Sequence, residues 1–236
     1  MKRFCAALFA LGLPLFAAAH ARAEGGALLV ERAIARFWAP DTGGVASPHF
    51  IYERVLAFEA RIEALADPNR PSSSEPYRDR HVNDALERHV AETLLAGLHI
   101  DPEPGEAALL RQIQSARARL LERVGGEVAL EQAAQAEGIG ARDLLEMLRR
   151  QARASLYLDR MVAPMLDPSD AELRALHRTR HNPFRELPFE RIEPGLRRWY
   201  VGQRLAAAVQ SFYQNARSRI TLTPLAELPG GVELER

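Results

Sequence analysis

Residues 31–37 read ERAIARF. Glu31 to Phe37 alternates roughly between polar and apolar positions, which predicts a short strand. The neighbouring Asp41-Thr42-Gly43-Gly44 is a turn signal, and Val45-Ala46 begins a return strand. The only other stretch with strand character, Ile220-Thr221-Leu222, lies at the far end of the chain. If these pieces pair, the two ends form one sheet and everything between them belongs to one structural unit.

The intervening sequence reads as helix. Ser47 with Pro48 predicts a cap and first helical position, followed by Ile51, Val55, Phe58, Ile62 and Leu65 on one face. Asp67 to Tyr77, with three prolines and three consecutive serines, reads as an exposed, flexible loop. Further helices are expected over about 78–98, 105–124 and 128–137. A long one over 141–162 carries Leu144, Leu148, Ala152 and Leu156 at spacings of four. Gly125-Gly126, Gly138-Ile139-Gly140 and Asp167-Pro168 separate them. Ser169 and Glu172 make a capping box that starts a helix to about His181. A last helix runs from near Pro188 to Arg217, and Pro224 to Arg236 reads as a poorly ordered tail. The expected class is mainly α: about six to seven helices and a small terminal β-sheet.

The N-terminus reads as a secretory signal. Lys2 and Arg3 precede the apolar run Phe4–Ala19, and Ala21-Arg22-Ala23 offers small residues for cleavage after Ala23. The predicted divisions are a signal peptide at 1–23, a domain at 24–222 and a flexible tail at 223–236, in a periplasmic protein. No later stretch approaches the ~20 apolar residues of a membrane span. The only cysteine, Cys5, and the only lysine, Lys2, lie in the signal. Thiolate and lysine chemistry are therefore not expected in the exported part. Cleavage would leave 28 basic against 31 acidic residues, a net charge of about −3, which does not suit a nucleic-acid partner.

Chemistry-bearing spacings are sparse. His177 and His181 would share a helix face, yet Arg178 and Arg180 crowd them, so they read as solvated histidines and no metal is expected. His81 and His89 read as polar edge residues. Asp84 with Arg88 and Glu146 with Arg150 read as i, i+4 surface ion pairs. No GxSxG element or phosphate-cradling loop occurs.

In order, the hairpin, helical bundle, Gly138-Ile139-Gly140 turn, Leu148-Arg149, the Ser169–Glu172 box with Leu173, His177 and Phe184, then Pro188-Phe189-Glu190, Ile192, Leu196, Ala208, Phe212 and Arg219-Ile220-Thr221-Leu222 resemble the chaperone portion of SurA-type periplasmic foldases. The resemblance extends to the matching parts of PpiD- and PrsA-type proteins, over nearly all of residues 28–222. The family's parvulin prolyl-isomerase domain would fall where residues 180–188 join two helices directly. The resemblance therefore implies a trigger-factor-like peptide-binding fold that acts as a non-catalytic holdase for unfolded exported or outer-membrane polypeptides, without a cofactor. A prolyl-isomerase-related foldase and a dedicated assembly subunit for one secreted partner are the alternatives. Client-binding candidates are Tyr157, Leu158, Met161 and Met165, where methionine adapts to varied side chains, together with Phe58, Tyr77 and Tyr213.

Overall fold

In a computed structural model, the structure describes residues 31–39, 45–69, 76–179, 182–184, 186–217 and 220–229. The expected signal, the 41–44 turn, Ser72–Ser74 and His181 lie outside the described residues. Strand β1 (Ala33–Ala39) runs antiparallel to β2 (Val45–Tyr52), and β3 (Thr221–Pro224) pairs with the other edge of β1, in the order β2-β1-β3. Phe37 sits opposite His49 on one side and Leu222 on the other. The two ends of the domain thus share one sheet. A register irregularity between Ala33 and Ala35 breaks strict alternation, and both Ile34 and Ala35 are buried.

Ser47 and Pro48 do not start a helix. They lie inside β2, and helix α1 begins five residues after Pro48, at Glu53 (Glu53–Ala66). Pairing with β1 overrides the local capping signal. Proline is tolerated because β2 is an edge strand and its register to β1 is irregular beside Pro48. The Glu53 N–H donates to the Arg32 carbonyl at 2.9 Å, so the helix is stopped by the sheet itself, without a capping side chain.

Helices α2 (Asp79–Gly97), α3 (Glu106–Val124), α4 (Glu127–Ala136) and α5 (Ala141–Tyr157) follow. Gly125 ends α3 at φ 88°, a left-handed conformation that glycine adopts without strain, and its N–H donates to Leu121 O. The long helix expected to residue 162 keeps α-geometry only to Tyr157. A π-turn (Leu158–Val162) and a 3-10 turn (Ala163–Leu166) follow, and Pro164 cannot supply the N–H that would extend the helix. Helix α6 (Asp170–His177) is capped as read: Ser169 N–H donates to Glu172 Oε2 at 2.8 Å, and Glu172 N–H to Ser169 Oγ at 3.3 Å. It stops four residues before the expected His181. The buried Asn182 amide instead caps it, donating to the carbonyls of Leu176, His177 and Thr179. Ser169→Ala is expected to weaken this start by about 0.5–2 kcal/mol. Faster amide exchange at Glu172 and Leu173, with α2 unchanged, would register it.

Helix α7 (Phe189–Arg217) is held at both ends. Near its start, Ile192 and Leu196 pack with Leu173 of α6, and Arg197 ties it to Asp167, Asp170 and the Pro168 carbonyl. At its end, Phe212, Tyr213 and Ala216 join the core beneath the sheet. Between these anchors, residues 200–211 are exposed or half-buried. Two larger cores lie in the bundle. The first joins Ile34, Phe37 and Ile51 to Leu56, Val82 and Leu94; the second joins Phe58 and Ile62 to Leu120, Leu130 and Leu148. Helix α1 serves both because side chains two apart point to opposite sides.

The segment after β3 differs from its sequence reading. Leu225 and Ala226 N–H groups donate to Ile34 O at 2.8 and 3.2 Å, and Leu228 is buried in the first core. Residues 224–229 are thus seated on the sheet. Leu228, with Ala226 packed beside it, gives this stretch its anchor. Among the described residues, no helix is long and apolar enough to cross a membrane.

Candidate functional site

Helices α2, α3, α5 and α7 enclose a cleft of about 700 Å³. Its floor is made of small and branched apolar side chains: Ala91 and Leu95 of α2, Ala116 and Leu120 of α3, and Ala154 of α5, all buried. Spacing by three and four puts Arg88 and Glu92 on the same α2 face as Ala91 and Leu95, so charge borders the floor. Arg123 of α3 and Glu63 of α1 stand beside them. Ala206, Val209 and Gln210, from the stretch of α7 between its two hydrophobic anchors, and Tyr213, from its C-terminal anchor, close the cleft.

An ionic network pins three helices together below this cleft. His89 Nδ1 and Glu59 Oε2 are 3.0 Å apart, the Arg150 guanidinium bonds Glu59 Oε1, and Arg150 Nε donates to Glu92 Oε2 at 3.3 Å. The chain of contacts runs from α2 to α1, to α5 and back to α2. Glu63 meanwhile accepts from both Arg88, at 3.0 Å, and Arg123, at 3.2 Å. These contacts correct three sequence expectations. Arg150 pairs with Glu59 and Glu92, while Glu146 pairs with Arg142 at 3.1 Å. Arg88 reaches Glu63 on α1. His81 and His89 are buried, not edge residues.

Burial sets the protonation of this network. Removal from water pushes the Glu59 carboxyl up, but Arg150 and His89 outweigh it and hold the group down at about 2. Burial pushes the His89 imidazole down, and Arg150 adds to this against the pull of Glu59, so the ring stays neutral more readily. Glu92 shares one guanidinium with Glu59. Burial and that second carboxylate raise it to about 7 against the attraction of Arg150 and Arg88. Burial lowers the affinity of the Arg123 guanidinium for its proton, and Arg88 acts in the same direction. Arg123 Nε is buried without a hydrogen-bond partner.

The sequence candidates separate. Leu158 and Tyr213 line the cleft. Phe58 is 1% exposed and belongs to the second core; Tyr77 packs on the first. Tyr157 and Met161 are half-buried at the π-turn, and Met165 is 76% exposed on the following turn, none of them among the cleft-lining residues. His177 Nε2 donates to Leu187 O at 2.9 Å. Among the described residues, no three His, Cys, Asp or Glu side chains gather where they could hold a metal ion. The sequence reading missed Glu59, Glu63, Glu92, Arg123 and Arg150 as site residues. The one local signal was Glu59 itself, a charge set between Phe58 and Ala60 in an apolar run.

No known protein family, curated protein or solved structure matches the chain.

Proposed function

We propose that this protein is a non-catalytic, SurA-like periplasmic holdase that takes an extended segment of an unfolded exported or outer-membrane polypeptide into the cleft between α7 and the bundle. The supporting observation is an apolar floor roofed by a helix whose hydrophobic anchors lie at its two ends. The roof's free span, residues 200–211, measures about 18 Å at 1.5 Å per residue. That length accommodates about five residues of extended chain. The cleft's volume lies within the ~300–1,000 Å³ of ordinary ligand sites. An alanine- and leucine-rich floor fits small and branched side chains without selecting one, and the charged margin stays solvated and limits self-association. Leu158 and Tyr213 are the two client-binding residues that the cleft supports from the sequence set.

The purified protein is expected to halve the aggregation of an unfolded outer-membrane porin at roughly equimolar ratio, measured by light scattering. Val209→Trp, which fills the cleft from the half-buried roof, should remove that protection while the thermal midpoint holds. Undiminished aggregation across several clients would sink the proposal, as would full protection by a stably folded Val209→Trp variant.

A further inference from the structure

We infer that Glu92 sets the charge preference of the cleft: when protonated it leaves the floor to Arg88 and Arg123 and admits segments carrying a carboxylate, and when ionised it turns them away. The inference rests on the peptide-binding reading above and adds the class of segment bound and the condition for binding it.

The charged groups beside the floor are Glu63 of α1, Arg88 and Glu92 of α2 and Arg123 of α3, and beneath it lie Glu59 of α1, His89 of α2 and Arg150 of α5. With His89 neutral, three carboxylates face three guanidiniums. One proton on Glu92 leaves the floor at +1. The margin adds Asp84 and Glu87 of α2 and Arg119 of α3, moving the whole cleft from −1 to neutral on the same proton. Tyr213 faces it from α7, and His49 of β2 acts on His89 from the far side. Either way of counting gives one direction: protonation favours an anionic guest.

The geometry singles out Glu92 for the proton. Glu59 holds two cationic or hydrogen-bonding partners below the floor, and Glu63 holds two arginines. Glu92 has one arginine, shared with Glu59, and it lines the cleft. Its titration near neutrality agrees with this ranking. Arg88 and Arg123 supply the anchor for a guest carboxylate: both line the cleft, and both guanidiniums lie beside Glu63.

Two extended, leucine- and alanine-rich fluorescent peptides, one bearing a central glutamate and one a central arginine, test this by anisotropy from pH 5.5 to 8.5 with the whole exported protein. The acidic peptide should bind about tenfold more tightly at pH 6 than at pH 8, the size expected for one unit charge at part-buried range. The basic peptide should show the opposite trend. Glu92→Gln should hold the acidic peptide equally at both pH values. A carboxyl ¹³C NMR titration of the wild-type protein supplies a second readout, in which one glutamate should titrate with the binding midpoint; it decides the matter should Glu92→Gln not fold. A pH profile that survives in folded Glu92→Gln overturns the inference. So does a wild-type midpoint that no glutamate shares, or peptide binding that ignores pH while the holdase reading stands. Failure of both peptides to bind at any pH overturns the holdase reading and this inference together.

Discussion

Replacing Arg150 with methionine is expected to lower the unfolding free energy by about 3–5 kcal/mol, the usual cost of removing one partner from a buried charged cluster. The side chain spans three helices: it belongs to α5 and bonds Glu59 of α1 and Glu92 of α2. Methionine fills much of the same space and takes no hydrogen-bond part. The loss would therefore report the two carboxylates left without a cation. Urea unfolding at pH 7, followed by circular dichroism, measures it, and a change below about 1 kcal/mol would place the cluster among pairs that contribute little.

The variant should also change the pH dependence. Glu59 titrates lower in the fold than its ordinary 4.5, so its contribution is present above that value and is lost as pH falls toward about 2. His89 is likewise lowered, so its contribution is held above its ordinary 6.5 and lost as pH falls below it. Glu92 acts in the opposite sense. Its carboxyl is raised, so its share of stability is full below 4.5 and is lost as pH climbs through about 7. Between 4.5 and 6.5 the imidazole and Glu92 therefore oppose each other and flatten the profile. Arg150→Met removes the cation that holds Glu59 down. The acid loss attached to Glu59 should shrink, and the fall toward alkaline pH should steepen because Glu92 loses the arginine it bonds and keeps only the weaker attraction of Arg88.

That network was out of reach of the sequence for a definite reason. Helix periodicity reports neighbours three and four residues away, whereas Arg150 lies 91 residues from Glu59 and 58 from Glu92. The i, i+4 reading paired Arg150 with a neighbour on its own helix, whereas its partners stand on α1 and α2. Features fixed by local chemistry were legible: the Ser169–Glu172 box, the glycine stop at Gly125 and the extents of α2 and α3. The pairing of β1 with β3 could also be inferred, because only one distant stretch had strand character. Ser47-Pro48 failed because a local cap competed with a strand partner already in place, and the strand won. The cleft's floor is apolar, while its charged flank comes from side chains whose partners lie on other helices. Of the seven proposed contact residues, Leu158 and Tyr213 reach it. The sequence could mark a large apolar side chain but not which side of a two-sided helix it would take.

Phe58 is the sharpest case of that ambiguity. Its place on the apolar stripe of α1 suits a core residue better than a client contact, and the fold buries it to 1% among Ile62, Leu120 and Leu148. Phe58→Ala is therefore expected to cost about 3–5 kcal/mol, the transfer free energy of the ring plus the cavity it leaves. Peptide affinity per folded molecule should be unchanged. Tyr213→Ala should do the reverse, weakening peptide binding with a smaller loss of stability, because that ring is only partly buried where it borders the cleft. Urea unfolding and peptide anisotropy, both under conditions where each variant is folded, separate the two effects. The form of the Phe58→Ala transition carries further information. Leu56 and Phe58 face different cores from opposite sides of one helical turn, so α1 can transmit disorder from one core to the other. A single transition at a lower midpoint, with the slope unchanged, would mean that both cores melt as one unit. Two transitions would mean that the sheet core, closed by β1 and β3, outlasts the bundle. Nearly wild-type stability, or loss of peptide affinity in the folded variant, would contradict the burial of Phe58 and return it to the client surface.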